Sequence, residues 1–281
     1  ADGLAAGKGV IVTSDRDAAL AHAETYLPAG AVLIEEFLSG PEVSLFFLSD
    51  GDHVAPLSPA QDFKRLRDGD EGPNTGGMGA YSPLPWLSDR FGDEETFVDL
   101  VTREIAEPVI RQMDAEGTPF IGLLYAGLIL TEQGVKVIEF NARFGDPETQ
   151  VVLPRLQTDL LELLWAAATD RLAQVKLSVS ADYAVCVVMA AKGYPESFAK
   201  GDAIHFPATL PPQTTIYHAG TAKNAAGEIV TNGGRVLGVT ALAPTLREAV
   251  DRAYAACGQI TFARDQQYFR RDIGARQLNR R

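Results

Sequence analysis

The chain has 281 residues, of which 46% are hydrophobic and 22% charged, with a net charge of −12. Such composition excludes a disordered polypeptide. The longest strictly apolar run, AVCVVMAA at residues 184–191, is too short to cross a bilayer, and the opening ADGLAAGKGV does not read as a secretory signal. Nucleic-acid binders concentrate basic charge, so that class is disfavoured. A phosphorylated substrate is compatible with the acidity if a local basic cluster, a metal or backbone amides meet its charge. Cys186 and Cys257 are isolated in apolar surroundings, which fits a reducing, cytoplasmic compartment.

In chain order, a glycine loop at residues 3–9 leads into a short strand at 10–13. A helix over 18–27 follows, with Ser14 and Asp15 placed to cap it. Residues 31–36 (AVLIEE) have the composition of a buried strand. The turn SGPE at 39–42 precedes a strand at 43–49, an Asp50-Gly51 hairpin and a return strand at 52–57. Residues 58–86, dense in Gly, Pro, Asn and charge, are expected to form a long functional loop. Over 93–116, Phe97, Leu100, Val101, Ile105, Val109, Ile110 and Met113 recur at helical steps. Residues 121–130 and 135–140, joined at 131–134, form an antiparallel hairpin, and 156–172 is helical. The pattern weakens at 173–182, a domain boundary. Strands at 183–191, 214–219 and 235–242, a helix at 245–257 and a basic tail complete an α+β arrangement.

Four constellations carry chemistry. Gly7, Lys8 and Gly9 lie where glycine backbone amides and one ammonium can approach phosphate oxygens, although a solvated hairpin turn fits equally well. Glu35, Glu36, Phe37 and Leu38 end the 31–36 strand, with Glu42 just beyond. Backbone groups there can meet an adenine edge and a carboxylate can meet ribose hydroxyls, yet a strand end with surface carboxylates fits this segment better on its own. Glu139 and Asn141 share one face of a strand, because side chains alternate with period two. Two oxygen donors on one side of a sheet suit Mg²⁺. Ile138 and Phe140 between them imply a buried opposite face, and Arg143 continues the polar face towards a phosphoryl group or carboxylate. The fourth is the long loop, with Asp62, Lys64 and Arg65 followed by Asn74, Thr75, Gly76 and Gly77. It supplies a dense basic cluster, Lys64, Arg65 and Arg67, near glycine-rich backbone. The four histidines show no ligand spacing, and no nucleophile elbow is present.

In this order the constellations resemble the ATP-grasp enzymes. More specifically, ADGLAAGKGV, EEFLSGPEVS, GPNTGGMGAYSP, VIEFNARFGDPETQ, VTNGGRVLGVTA and RRDIGARQL are similar to the phosphoribosylamine–glycine ligase family, over nearly the full length. The resemblance implies an α+β ATP-grasp fold. Its parts would be the remainder of a lid subdomain at 1–38, a central antiparallel-sheet domain at 39–175 and a smaller C-terminal α+β domain at 176–281. It implies ATP with Mg²⁺ or Mn²⁺, and the substrates glycine and 5-phosphoribosylamine, with no nucleic acid and no membrane. Gly7, Lys8 and Gly9 would close over the phosphates, Glu35 to Leu38 would meet adenine, and Glu42 ribose. Glu139 and Asn141 would bind the metal. Arg143, Lys64 and Asp62 would be catalytic, while Arg65, Asn74, Thr75, Gly76, Gly77, Asp146 and Glu148 would bind substrate. In this family an N-terminal α/β domain and the opening lid strand precede the glycine loop, so that domain is expected to be needed in cis or in trans. Another ATP-grasp carboxylate–amine ligase, or a truncated nucleotide-binding module without catalysis, are the alternative readings.

Overall fold

A computed structural model describes residues 10–278. Strands β1 (Glu42–Asp50), β2 (Val54–Pro56), β3 (Gln61–Asp62), β4 (Arg65–Arg67), β5 (Glu71–Asn74), β6 (Gly79–Ser82), β7 (Ile121–Thr131) and β8 (Gly134–Asn141) come first. They are followed by β9 (Tyr183–Ala191), β10 (Ile204–His205), β11 (Thr214–His218), β12 (Thr221–Lys223), β13 (Ile229–Thr231), β14 (Arg235–Ala243), β15 (Thr261–Phe262) and β16 (Gln267–Tyr268).

One antiparallel sheet has the order β2-β1-β7-β8. Its centre is β1, a near-continuous apolar run buried on both faces and paired along its length with β7, from Glu42 opposite Ile129 to Asp50 opposite Ile121. The expected hairpin forms between β7 and β8 and closes at Thr131 and Gly134, where the glycine takes a φ of 120°. A second sheet runs β11-β14-β9-β6-β3, with β16 also on β9. The helix Leu246–Cys257 packs on this sheet, burying Leu246, Ala249, Val250, Ala253, Ala256 and Cys257 at three- and four-residue steps. Val43, Leu45 and Phe47 of the first sheet share one core with Val185, Val187 and Met189 of the second. Hydrogen bonding in the second sheet joins strands from 39–175 to strands from 176–281.

Several local expectations are corrected. Residues 58–86 are not simply a loop, because β3 to β6 lie within them and β6 is wholly buried against β9. Gly79 permits that approach: a Cβ there would sit 2.6 Å from the Cys186 carbonyl oxygen. Residues 10–13 and 31–36 are not strands, and Val12 and Ile34 are 71% and 90% exposed. A strand exists through its ladder, and no neighbour among the described residues pairs with these segments. The first helix is Arg16–Tyr26, capped by Asp15, whose carboxylate accepts from the Asp17 and Ala18 amides at 2.9 and 3.2 Å. The 93–116 pattern forms Glu94–Val101 and Glu107–Ala115, linked by a π turn at Thr102–Ala106. Pro108 explains the wider turn, since it has no N–H for the carbonyl four residues back. The helix expected at 156–172 is confined to Leu160–Ala168, capped by Asp159.

Ile138 and Phe140 do not form a buried face; they are 40% and 41% exposed. They stand on β8, the edge strand, where Gly127 opposes Glu139 and Leu128 opposes Val137, which leaves Ile138 as an extra, bulged residue. Among the described residues no helix is long and apolar enough to cross a membrane.

The C-terminal segment is tied to the β4–β5 hairpin by Arg270, which is fully buried. Its guanidinium donates to Asp70 at 2.8 Å, to both Asp272 oxygens at 2.7 and 2.6 Å and to the Arg65 carbonyl at 3.0 Å, and it lies 4.9 Å from the Phe63 ring centroid. Removing one member of such a network strands the others. Arg270→Ala is expected to cost about 3 kcal/mol, read as a lower urea midpoint with an unchanged slope. An unchanged midpoint would show that the network is energetically neutral.

Candidate functional site

Pairing of β1, β7 and β8 sets one sheet face. Ser44 opposes Gly127, Gly127 opposes Glu139, and Tyr125 opposes Asn141. Opposed residues share a face, as do residues two apart along a strand, so Ser44, Tyr125, Glu139 and Asn141 all project together. Gly127 keeps this face open: a Cβ there would lie 3.2 Å from the Glu139 side chain.

Over this face fold the segment after β3 and the turn at residues 143–148. The Ser44 hydroxyl donates to Glu148 at 3.0 Å, which leaves the Tyr125 hydroxyl to donate to Ser44 at 2.9 Å. Glu148 is only 4% exposed, so its carboxylate forms a floor. Lys64 pairs with Glu42. Burial pulls the Lys64 ammonium down, but Asp62 and Glu42 outweigh it and hold it above the usual lysine range. Burial pushes the Asp62 carboxyl up to about 7; Lys64 pulls it down, and Glu148 and Glu42 push it back. Burial, with the charges of Glu148 and Asp62, also raises the Tyr125 phenol.

Closer to solvent, Asn141 donates to Glu139 at 3.0 Å, and Arg143 donates to the Asn141 oxygen at 3.4 Å and to the Phe144 carbonyl at 3.0 Å. Glu139 lines a pocket, Asn141 adjoins it through its hydrogen bond to Glu139, and the oxygens of the two side chains fit a hard divalent cation. Asp146 forms an ion pair with Arg235 at 3.0 Å. The same guanidinium donates to the Gly76 and Asp146 carbonyls, each at 2.6 Å. The Gly76 amide donates to the Tyr194 hydroxyl at 2.9 Å. Gly77 has a φ of 111°, and a Cβ there would fall 2.5 Å from the Pro147 ring.

These groups enclose a pocket of about 140 Å³ lined by Asp62, Lys64, Thr75, Gly76, Tyr125, Glu139, Arg143, Gly145, Asp146 and Glu148. Most residues expected to be catalytic or to bind substrate therefore converge. Arg65, Asn74 and Gly77 do not line it. Arg65 opposes Asn74 in the β4–β5 hairpin and donates to the Gly72 carbonyl at 2.8 Å. Glu35, Glu36, Phe37 and Leu38 also lie off the pocket; Glu36 pairs with Lys136 of β8 at 3.8 Å and Phe37 is 73% exposed. Gly7, Lys8 and Gly9 lie outside the described residues.

Ser44, Tyr125, Tyr194 and Arg235 escaped the sequence reading, and Gly145, whose sequence context reads as turn-shaping, lines the pocket. A tyrosine inside an apolar strand was a usable signal, since a buried hydroxyl needs a partner. A larger cleft of about 440 Å³ is lined by Leu66, Arg67, Asp68, Pro73, Lys192, Gly193, Tyr194, Pro195, Glu196 and Tyr268, and the Tyr194 hydroxyl accepts from the Gly76 amide of the smaller pocket. Ligand atoms of Asp50, His53 and Asp170 also lie within 4.8 Å of one another. That cluster is at the far end of β1, roughly 26 Å from Glu42. Asp50 there accepts from the Asp52, His53 and Leu172 amides, so it serves as a cap.

Two family models match the sequence: the phosphoribosylglycinamide synthetase ATP-grasp (A) domain at residues 1–149 and the C domain of the same synthetase at 184–276. The chain belongs to the phosphoribosylglycinamide synthetase family. It is 58% identical over 280 residues to a phosphoribosylamine–glycine ligase of Leifsonia xyli, covering 98% of this chain and 65% of the relative. With the Streptomyces coelicolor protein of the same name the identity is 54%, covering 98% and 64%. The chain thus spans somewhat less than two thirds of these relatives. The crystal structure of the Thermotoga maritima phosphoribosylamine–glycine ligase superposes with a TM-score of 0.80 at 35% identity, over 97% of this chain and 67% of that one. A biotin carboxylase domain from Hydrogenobacter thermophilus shares the fold at 17% identity and a TM-score of 0.64, over 94% and 56%. The fold of this synthetase-family chain is therefore ATP-grasp.

Because the Asp62 carboxyl binds its proton more tightly in the folded state than unfolded, ionising it opposes folding. Stability falls as pH rises from about 4 to about 7 on its account. Asp62→Asn is expected to raise the thermal midpoint more at pH 8 than at pH 5, and to leave it nearly unchanged only below about pH 4. Equal shifts at both pH values would show that Asp62 is not the titrating group.

Proposed function

We propose that this chain provides the nucleotide- and substrate-activating part of a ligase. The enzyme would join glycine to 5-phosphoribosylamine at the expense of ATP, giving glycinamide ribonucleotide, ADP and phosphate in purine biosynthesis. The convergence of Glu139 and Arg143, joined through Asn141, at a pocket floored by buried carboxylates carries this reading, in a chain of this family. The fold and the identity to named ligases support it. Glu35 to Leu38 would meet the adenine, Glu42 the ribose, and Gly7, Lys8 and Gly9 the phosphates. The chain would act together with an N-terminal domain, in cis or in trans.

A carboxylate is a poor acyl donor, because oxide would have to leave. In the proposed sequence a glycine carboxylate oxygen attacks the γ-phosphorus, the bond from that phosphorus to the bridging oxygen breaks, and ADP leaves. The phosphoribosylamine nitrogen then attacks the acyl carbon of glycyl phosphate. The acyl C–O bond breaks, phosphate departs and the nitrogen loses a proton. Glu139 and Asn141 would hold Mg²⁺ or Mn²⁺, which when bound neutralises phosphate charge. Arg143 balances charge developing on the transferring group, and the pocket fixes the reacting oxygens in line. Asp62 and Lys64 stand at the acceptor side. Arg65, Asn74, Thr75, Gly76, Gly77, Asp146 and Glu148 would hold or frame the substrates, and the larger cleft offers room for the phosphoribosyl part.

Glu139→Gln, assayed with the N-terminal domain supplied, is expected to lower glycine- and phosphoribosylamine-dependent ADP release by about a hundredfold or more. It should also shift the metal requirement to higher concentration. Full activity with an unaltered metal dependence would refute the assignment of Glu139.

A further inference from the structure

Gly76 has no side chain, so its loop can be held there only through peptide groups, and both are engaged by residues that follow β9. Its carbonyl accepts from Arg235 at 2.6 Å and its amide donates to the Tyr194 hydroxyl at 2.9 Å. Thr75 ties the same loop to the other side, since its amide and its hydroxyl both donate to the Lys64 carbonyl, at 2.7 and 2.9 Å. Tyr194 stands just after β9, with its amide donating to the Ala191 carbonyl at 3.1 Å. Its ring rests on Gly234, where a Cβ would lie 2.2 Å from the ring, and beside Phe198, with centroids 6.3 Å apart. Packing of the ring therefore fixes the hydroxyl.

Tyr194 lines the larger cleft, while Thr75 and Gly76 line the smaller pocket, so one hydrogen bond joins the walls of the two. The hydroxyl accepts from Gly76, and among the described residues nothing accepts from it. A phenol that donates while it accepts strengthens both bonds, because each polarises the other. Near Tyr194 the cleft presents Arg67 and Lys192, neither ion-paired among the described residues, with Asp68 and Glu196. Cations for a phosphate and carboxylates for hydroxyl groups suit a sugar phosphate.

We propose that Tyr194 is a positioning residue that couples the two cavities: a phosphorylated sugar in the larger cleft accepts the free Tyr194 O–H, the bond from the Gly76 amide to that hydroxyl tightens, and the loop walling the smaller pocket is fixed. The inference rests on the ligase reading above and adds to it a physical link between the two substrates. The pocket in which the acyl group is activated is then firmest when the acceptor amine is in place. Such coupling is reciprocal, so each ligand raises the affinity of the other by the same factor.

The test is a calorimetric titration of the chain with glycine, with and without ribose 5-phosphate, the N-terminal domain and a non-hydrolysable Mg-ATP analogue being supplied. Ribose 5-phosphate carries a hydroxyl in place of the amine. It is expected to tighten glycine by about fivefold, the low end of couplings between sites. In Tyr194→Phe, which keeps the ring and removes the hydroxyl, that ratio is expected to fall to about one, whatever the single affinities become. In the wild type, amide hydrogen exchange at residues 74–78 is expected to slow when ribose 5-phosphate is added, a readout that decides even if the variant does not fold. A ratio of one in the wild type, an undiminished ratio in the folded variant, or unchanged exchange would overturn the proposal. If glycine and the nucleotide analogue bind but glycine is indifferent to the sugar phosphate, only the coupling fails. If neither binds, the ligase reading fails with it.

Discussion

A carboxylate removed from water must be met by hydrogen bonds or by a cation. In this protein that requirement concentrates at Glu148, buried at the meeting of the first sheet with the turn at residues 143–148. The Ser44 hydroxyl answers one of its oxygens, and the Tyr125 hydroxyl in turn answers Ser44. This short chain of donors links β1, β7 and the turn, so the position of the pocket floor is set by the sheet register. Asp62 then adds a second carboxylate that Lys64 compensates only in part.

The same economy governs the frame around it. Arg235 leaves β14 of the second sheet and joins the Gly76 carbonyl to Asp146 in a single planar guanidinium. Arginine suits this junction because its donors are fixed in one plane. Tyr194 holds the other side of Gly76. The glycine-rich loop is thus clamped from the second sheet and pressed against Pro147. On a different scale Arg270 does the same for the β4–β5 hairpin, anchoring it to Asp70 and Asp272. Both sheets therefore contribute to the site, one with its face and the other with its clamps.

The segments that failed to match their sequence pattern share a cause. Residues 31–36 have the apolar composition of a buried strand, yet Leu33 and Ile34 are exposed, because composition cannot supply a neighbouring ladder. Ile138 and Phe140 alternate as a half-buried strand should, but an edge position and a bulge turn that alternation outward. Conversely, residues 79–82 look like part of a loop, and only the absence of a Cβ at Gly79 beside the Cys186 carbonyl lets them enter the sheet.

What the sequence determined alone was local. Strand β9, the β7–β8 hairpin, the helix Leu246–Cys257 and the shared face of Glu139 and Asn141 follow from backbone periodicity and turn chemistry within a few residues. The motif stretches likewise carried the family, since a resemblance needs no coordinates. Only the tertiary structure could decide that Ser44 meets Glu148, 104 positions away, or that Arg235 reaches Gly76 across 159. Such meetings depend on how sheets register and pack, and no period in the chain encodes them. The burial of the Glu148 carboxylate belongs to this second kind, because no residue is buried before the chain is folded.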